Sequence, residues 1–233
     1  MRCFGEDDLC CAEQMVNLSE EVDCSGGAGL SYAGQLPRLG RDEIAVKAEE
    51  LLDECWDGCL PIDVEAICDY LGIAIVPVKG LREELGVEAY TAVDFRTIYA
   101  DWAEYESESA RYRFSVAHEL GHYVLHQMYY PCEIGSFEEW RYSASNMDYV
   151  EYQANYFAGS LLAPEMELVG ALNVKFDGSF ARNCWCWRRD EFRRALGDVR
   201  KLFRISEQAL ARRMRDLMPG VEQFDEVAMG LGR

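Results

Sequence analysis

The 233-residue chain has only three histidines, and they fall at positions 118, 122 and 126. The first two frame His118-Glu119-Leu120-Gly121-His122. On a helix, residues four apart lie one turn apart on one face, so two imidazoles at this spacing can hold a single Zn²⁺ at about 2.0–2.1 Å each. Glu119 sits beside the first ligand, within reach of a water on that ion. Zinc lowers the pKa of such a water toward about 7, and a neighbouring carboxylate can take its proton during attack on a carbonyl. At this chain's own His and Glu frequencies, roughly 0.004 such patterns are expected by accident. Chance is therefore a poor source. The competing reading is a pair of helix-face histidines with no metal.

Catalytic zinc takes three protein ligands and leaves a fourth position open. His126 lies two turns from His118, about 12 Å along a straight helix axis at 1.5 Å per residue. It is read as a support behind the ligands or as a packing histidine. A carboxylate from a second helix fits better. Glu151 opens Glu151-Tyr152-Gln153-Ala154-Asn155, and Phe157, Ala158, Leu161 and Leu162 give that segment an apolar helical face. Asp148 and Glu133 compete with it. Asn155, one turn on, could hold a ligand histidine in orientation. Tyr152 and Tyr156 are candidates for stabilising an oxyanion, a group that peptide hydrolysis requires.

Several elements must position these residues. Asp42 to Asp57 has helical apolar spacing, with Asp42 as the expected cap. A second helix is expected from Pro61, with Val64, Ile67, Cys68 and Leu71 on one face and Gly72 as its end. Ile73 to Val78 is β-branched and predicts a buried strand. Glu88 to Phe95 and Thr97 to Asp101 predict two strands joined by a turn at Asp94 to Arg96. Glu104 to Ala110 is polar and predicts a loop. The histidine helix is expected over Arg111 to Met128, ahead of Pro131. Residues 132–146 form an aromatic and acidic connection, Met147 to Leu162 a further helix, and Pro164 the start of another. Three more helices are expected, at Asp190 to Leu196, Val199 to Phe203 and Ser206 to Leu217.

Composition bounds the rest. Hydrophobic residues make up 49% of the chain, which excludes global disorder. The net charge of −19 is uneven. Residues 1–180 hold 11 basic and 34 acidic residues, whereas residues 181–233 hold 12 and 8. The acidic part repels nucleic acid, and the basic C-terminal segment could tolerate it. No apolar run approaches the roughly 20 residues that span a bilayer, so no membrane partner is expected. Met1 to Cys11 lacks the pattern of a secretory signal, so a cytoplasmic protein with reduced thiols is expected. None of the ten cysteines forms a Cys-x-x-Cys pair, so they read as core and surface thiols. A thiol-based sensor is the remaining reading for them. Residues 1–40 read as a poorly ordered N-terminal extension, with one short helix near Asp7 to Leu18. Residues 41–180 read as the core, and 181–233 as a C-terminal helical segment. Trp185, Trp187 and Phe192 in that segment read as core or as a docking patch.

Arg113-Phe114-Ser115-Val116-Ala117-His118-Glu119-Leu120-Gly121-His122, followed by Val150-Glu151-Tyr152-Gln153-Ala154-Asn155-Tyr156-Phe157-Ala158 and Leu161-Leu162-Ala163-Pro164, resembles the ImmA/IrrE family of zinc metallopeptidases. Leu60 to Ile67 and Leu71-Gly72-Ile73 are similar to that family's N-terminal helices. The resemblance covers about residues 42–217. It implies His118, His122 and Glu151 as ligands of one Zn²⁺ and Glu119 as general base. It implies an α+β, mostly helical fold: a gluzincin-like core with a small antiparallel sheet beside the zinc helix. It also implies a cytoplasmic site-specific endopeptidase of bacteria, phages or mobile elements, whose substrate is a helix-turn-helix repressor. Gln153 stands where the family commonly carries a second acidic residue, and little consequence is expected of that change. Asp198 to Met214 reads as two helices about a short turn, helix-turn-helix-like, with Ser206 as cap. It serves either DNA contact or closure of the core. The alternative to the enzyme is a DNA- or partner-binding regulator with a structural or vestigial zinc site.

Overall fold

The computed structural model describes residues 38–92, 94–129, 147–176 and 189–217. The expected extension up to residue 37, the 132–146 connection, Glu133, Trp185 and Trp187 lie outside the described residues.

Helix α1 (Arg41–Cys55) buries Ile44, Ala48, Leu51 and Leu52, one stripe at helical spacing. Its cap is Gly40 rather than the expected Asp42, and the Gly40 N–H donates to Glu43 Oε2 at 2.7 Å. Helix α2 (Val64–Leu71) begins three residues after Pro61, because Asp63 Oδ1 accepts from the N–H groups of Glu65 and Ala66. It ends at Gly72, whose φ of 70° only glycine adopts at no steric cost.

Strand β1 (Ala74–Val78) pairs in parallel with β3 (Thr97–Asp101), and β2 (Ala89–Thr91) pairs antiparallel with β3. The order β1-β3-β2 makes a mixed sheet, not the antiparallel one expected. A short helix, α3 (Leu81–Leu85), follows β1 on the way to β2. Nor is β1 buried. It is an edge strand containing Pro77, with Val76 39% exposed. Ile98 and Ala100 of β3 face the core instead. Thr91 lies opposite Ile98 in the ladder, so both side chains point to that face.

The expected loop at 104–110 is largely helix α4 (Trp102–Ser107). Asp101 starts it by accepting from the N–H groups of Ala103 and Glu104, a cap that follows directly from a strand and so is hidden by it. Helix α5 (Ala110–His126) is capped by Ser109, whose Oγ accepts from the Tyr112 N–H at 2.9 Å. Helix α6 (Met147–Leu162) packs along α5, and α1 packs along α6. The α5–α6 approach is close because position 121 is glycine. A Cβ there would lie 3.0 Å from Ala154 Cα and 3.1 Å from its carbonyl oxygen.

Helix α7 (Glu165–Lys175) follows Pro164 and buries Leu168 and Leu172. The two helices expected at 190–203 are one, α8 (Arg189–Phe203). Gly197 does not break it, because Phe192, Leu196, Val199 and Phe203 form one continuous buried stripe. Helix α9 (Glu207–Leu217) is capped by Ser206, as expected. These last two helices contribute Phe203, Ile205, Leu210 and Met214 to the same hydrophobic cluster as α1, α5 and α6.

Candidate metal centre

Helix α5 brings His118 and His122 together at the i, i+4 spacing. Their Nε2 atoms lie 3.0 Å apart. Glu151, one turn before the Gly121–Ala154 contact, enters from α6. Its Oε2 is 3.2 Å from His118 Nε2, and its Oε1 is 3.5 Å from His122 Nε2. Two imidazole nitrogens and a carboxylate oxygen therefore converge on one point, with separations near the roughly 3.3 Å between ligands of a tetrahedral zinc ion. Glu119 joins the cluster: its carboxylate and the two imidazoles all offer ligand atoms within 4.8 Å of one another, so the group could hold a metal ion.

The two carboxylates have different surroundings. Glu119 is 3% exposed, and its Oε2 accepts from Thr91 Oγ1 at 2.7 Å. Strand β2 thus aims this carboxylate. Glu151 points at both imidazoles. Burial alone would raise its carboxyl pKa, but the two histidines beside it more than reverse that and hold it well below the usual range. Burial also pushes His122 well below an ordinary imidazole. An ionised Glu151 and a neutral His122 are the protonation states that a divalent cation needs of these two groups, because ligands must be deprotonated to bind. The donor set fits zinc, which favours a few nitrogen and oxygen ligands.

His126 is fully buried, one turn beyond His122. Its Nδ1 lies 3.0 Å from His122 Nδ1, and its Nε2 lies 2.8 Å from Gln153 Oε1. It stands behind the ligands rather than among them. Burial lowers its pKa to about 4 against the opposing pull of Gln153 and Glu151. The expectation for Asn155 needs correction. Its Nδ2 donates to the Glu151 carbonyl oxygen at 2.8 Å, a bond within its own helix, and Gln153 is the α6 amide that meets a histidine. Gln153 and Thr91 are the two site contacts that sequence reasoning missed. The only signal for Gln153 was its departure from the family's acidic residue. Thr91 carried none, because its place depends on β2 lying across α5.

Tyr152 accepts from Arg41 Nε at 2.9 Å and is 39% exposed. The guanidinium carbons of Arg41 and Arg213 lie 5.8 and 5.9 Å from the Tyr156 ring centre. Of these two tyrosines, Tyr156 lines a cavity of about 250 Å³ between α5, α6 and α9. Phe114 and Ser115 form its α5 wall, one turn before His118. Asn155 and Gly159 line it from α6, and Ala209 and Arg212 from α9. His118, Glu119, His122 and Glu151 do not line the cavity; its walls stand one turn from them along both helices. Among the described residues, no helix is long and apolar enough to cross a membrane.

Residues 103–215, from α4 to near the end of α9, match the family model Peptidase_M78, described as an IrrE N-terminal-like domain. No curated protein matches the chain. The matched span contains the His-Glu-x-x-His helix, Glu151, His126 and Gln153, and so encloses the whole cluster apart from Thr91. Across that span, just under half of its length, the chain is similar to the Peptidase_M78 family of IrrE N-terminal-like domains.

Proposed function

We propose that the protein is a zinc-dependent, site-specific endopeptidase, with His118, His122 and Glu151 as ligands and Glu119 as general base. The observation that carries this reading is the convergence of three ligand atoms beside a second carboxylate that is separately anchored by Thr91. A structural zinc site is normally closed by four protein ligands and has no use for a second carboxylate held aside by Thr91. A bound zinc ion would supply Lewis acidity and a water acidified toward neutral pH. Glu119 accepts the proton of the attacking water and returns it to the departing amine. Thr91 holds Glu119 on the substrate side during both transfers. Burial excludes bulk water from these side chains and strengthens every local electrostatic interaction. Tyr156, on the wall of the adjoining cavity, is the better placed of the two tyrosines to meet the oxyanion.

The substrate proposed is a helix-turn-helix repressor, cleaved in the cytoplasm so that repression is relieved. The charge of residues 1–180 supports this, since 11 basic against 34 acidic residues complements a basic, DNA-binding partner. The test is co-expression with the regulator encoded beside this gene. The wild type should cut it at one site, and Glu119→Gln should retain its zinc but lose cleavage by at least about 100-fold, the lower range for a positioned general base. Native-rate cleavage by Glu119→Gln would remove the mechanism.

A further inference from the structure

We infer that Gln153, acting through His126, fixes which nitrogen of His122 carries the proton and so leaves His122 Nε2 ready for the metal. This rests on the metallopeptidase reading in one respect only, that His122 is a ligand.

The argument follows hydrogen-bond polarity atom by atom. Gln153 Oε1 has lone pairs and no hydrogen, so at 2.8 Å the donor must be His126 Nε2. A neutral imidazole carries one N–H, and a buried imidazole is neutral unless something compensates its charge. His126 Nδ1 is therefore an acceptor. It lies 3.0 Å from His122 Nδ1, and that contact is a hydrogen bond only if the proton sits on His122 Nδ1. His122 then has no second proton, and its Nε2 presents a bare lone pair toward His118 and Glu151.

Reversing the amide reverses every donor in the series. The Gln153 NH₂ would donate to His126 Nε2, His126 Nδ1–H would donate to His122 Nδ1, and His122 Nε2 would be protonated. A protonated nitrogen cannot coordinate a cation. The amide oxygen at one end of the series thus controls metal competence at the other, across two fully buried rings. A histidine ligand commonly donates its second N–H to a carboxylate or carbonyl directly. Here a second histidine stands between them, because His126 follows His122 by four residues on the same helix face while Gln153 meets His126 from α6. Gln153 is a positioning residue rather than a catalytic one.

The chain's three histidines make the proposal measurable. Untagged protein labelled with ¹⁵N-histidine, with its metal removed, should give three imidazole spin systems. His122 is expected to be protonated at Nδ1 and His126 at Nε2. Either residue in the opposite tautomer overturns the proposal on the wild type alone. Two variants then separate polarity from packing. Gln153→Glu keeps an acceptor that cannot be reversed, so zinc affinity should match or exceed the wild type. Gln153→Met keeps length but removes the acceptor, so zinc affinity should fall about 10- to 100-fold, the usual cost of losing such a partner. Affinity is read by competition with a chromophoric chelator, and urea unfolding confirms that both variants fold. If Met costs nothing, or Glu costs as much as Met, the relay is wrong. If the wild type and His118→Ala bind zinc equally poorly, the metallopeptidase reading fails instead, and the imidazole spectrum still decides the relay.

Discussion

Cys68 is 1% exposed on the inner face of α2, and its thiol is far from reactive. Burial raises its pKa first, and the negative charges of Asp69, Glu65 and Asp63 raise it further, to about 12 from an ordinary 9.0. The sign of the effect on stability follows. Below pH 9 the thiol is protonated in both folded and unfolded chains. Between pH 9 and 12 the unfolded chain loses the proton and the folded one keeps it, so stability falls as pH rises. The contribution is about 1.4 kcal/mol for each pH unit across that window. Urea midpoints measured between pH 8.5 and 10, below the range where the buried Tyr112 hydroxyl adds a fall of the same sign, should drop with pH, and Cys68→Ala should reduce that drop while losing some stability at every pH. An undiminished slope in the variant would assign it to other groups. Alkylation gives an independent reading: exposed Cys59 should label in the native state and Cys68 only on unfolding. The thiol-sensor reading therefore finds no support at Cys68. His118, Glu119 and His122 were legible in the sequence because one helical turn relates them. Thr91 was not, because only the pairing of β2 with β3 carries it to Glu119.

The α5–α6 pair sets the site's geometry, and its closeness depends on Gly121. A methyl group there would press on the Ala154 Cα and carbonyl oxygen, backbone atoms that cannot rotate away. Alanine would gain about 1 kcal/mol in helix propensity, but overpacking a tight contact costs typically 1–3 kcal/mol. The backbone contact should win. Gly121→Ala is expected to lose about 1–2 kcal/mol in urea unfolding and to bind zinc more weakly, because Glu151 must retreat with α6. A variant as stable as the wild type would show that the helices can slide apart freely. The elements themselves were largely readable, since α5 and α6 carry unbroken 3.6-residue apolar patterns. The errors arose where local chemistry is ambiguous. Asp101 ends a strand and caps a helix in one residue, so α4 was read as loop. Two helices are expected at 190–196 and 199–203, whereas the buried stripe from Phe192 to Phe203 holds one helix through Gly197. The strand β1 was read as buried from its composition, and strand order, which composition does not encode, puts it at an edge.

At the scale of the whole molecule, the question is whether α8 and α9 form a separate DNA-reading unit or part of the peptidase. Their side chains answer through packing. Phe203 is fully buried, Ile205 and Leu210 are 3% exposed, and all belong to the cluster that backs α5 and α6. Arg213 is 4% exposed, and its Nε donates to the Ala163 carbonyl oxygen at 3.0 Å. Arg212 lines the cavity between α5, α6 and α9 and remains exposed. A recognition helix needs its basic face in solvent; α9 commits Arg213 to the core while Arg212 and Arg215 stay exposed, so it is apolar packing that ties the helix to the rest of the fold. These helices should therefore unfold together with the metal site. Phe203→Ala removes a buried aromatic ring and should cost about 3–5 kcal/mol, within the range for such truncations. The loss should appear identically in zinc release and in far-ultraviolet circular dichroism, since coincident probes mark one cooperative unit. If α8 and α9 were an independent module, the variant would melt in two steps, and zinc would be released only in the second. That outcome would restore the DNA-binding alternative. Coincident transitions would instead tie α8 and α9 to the folded core that carries the metal-binding cluster, and charge changes on α9 would then leave DNA affinity unchanged.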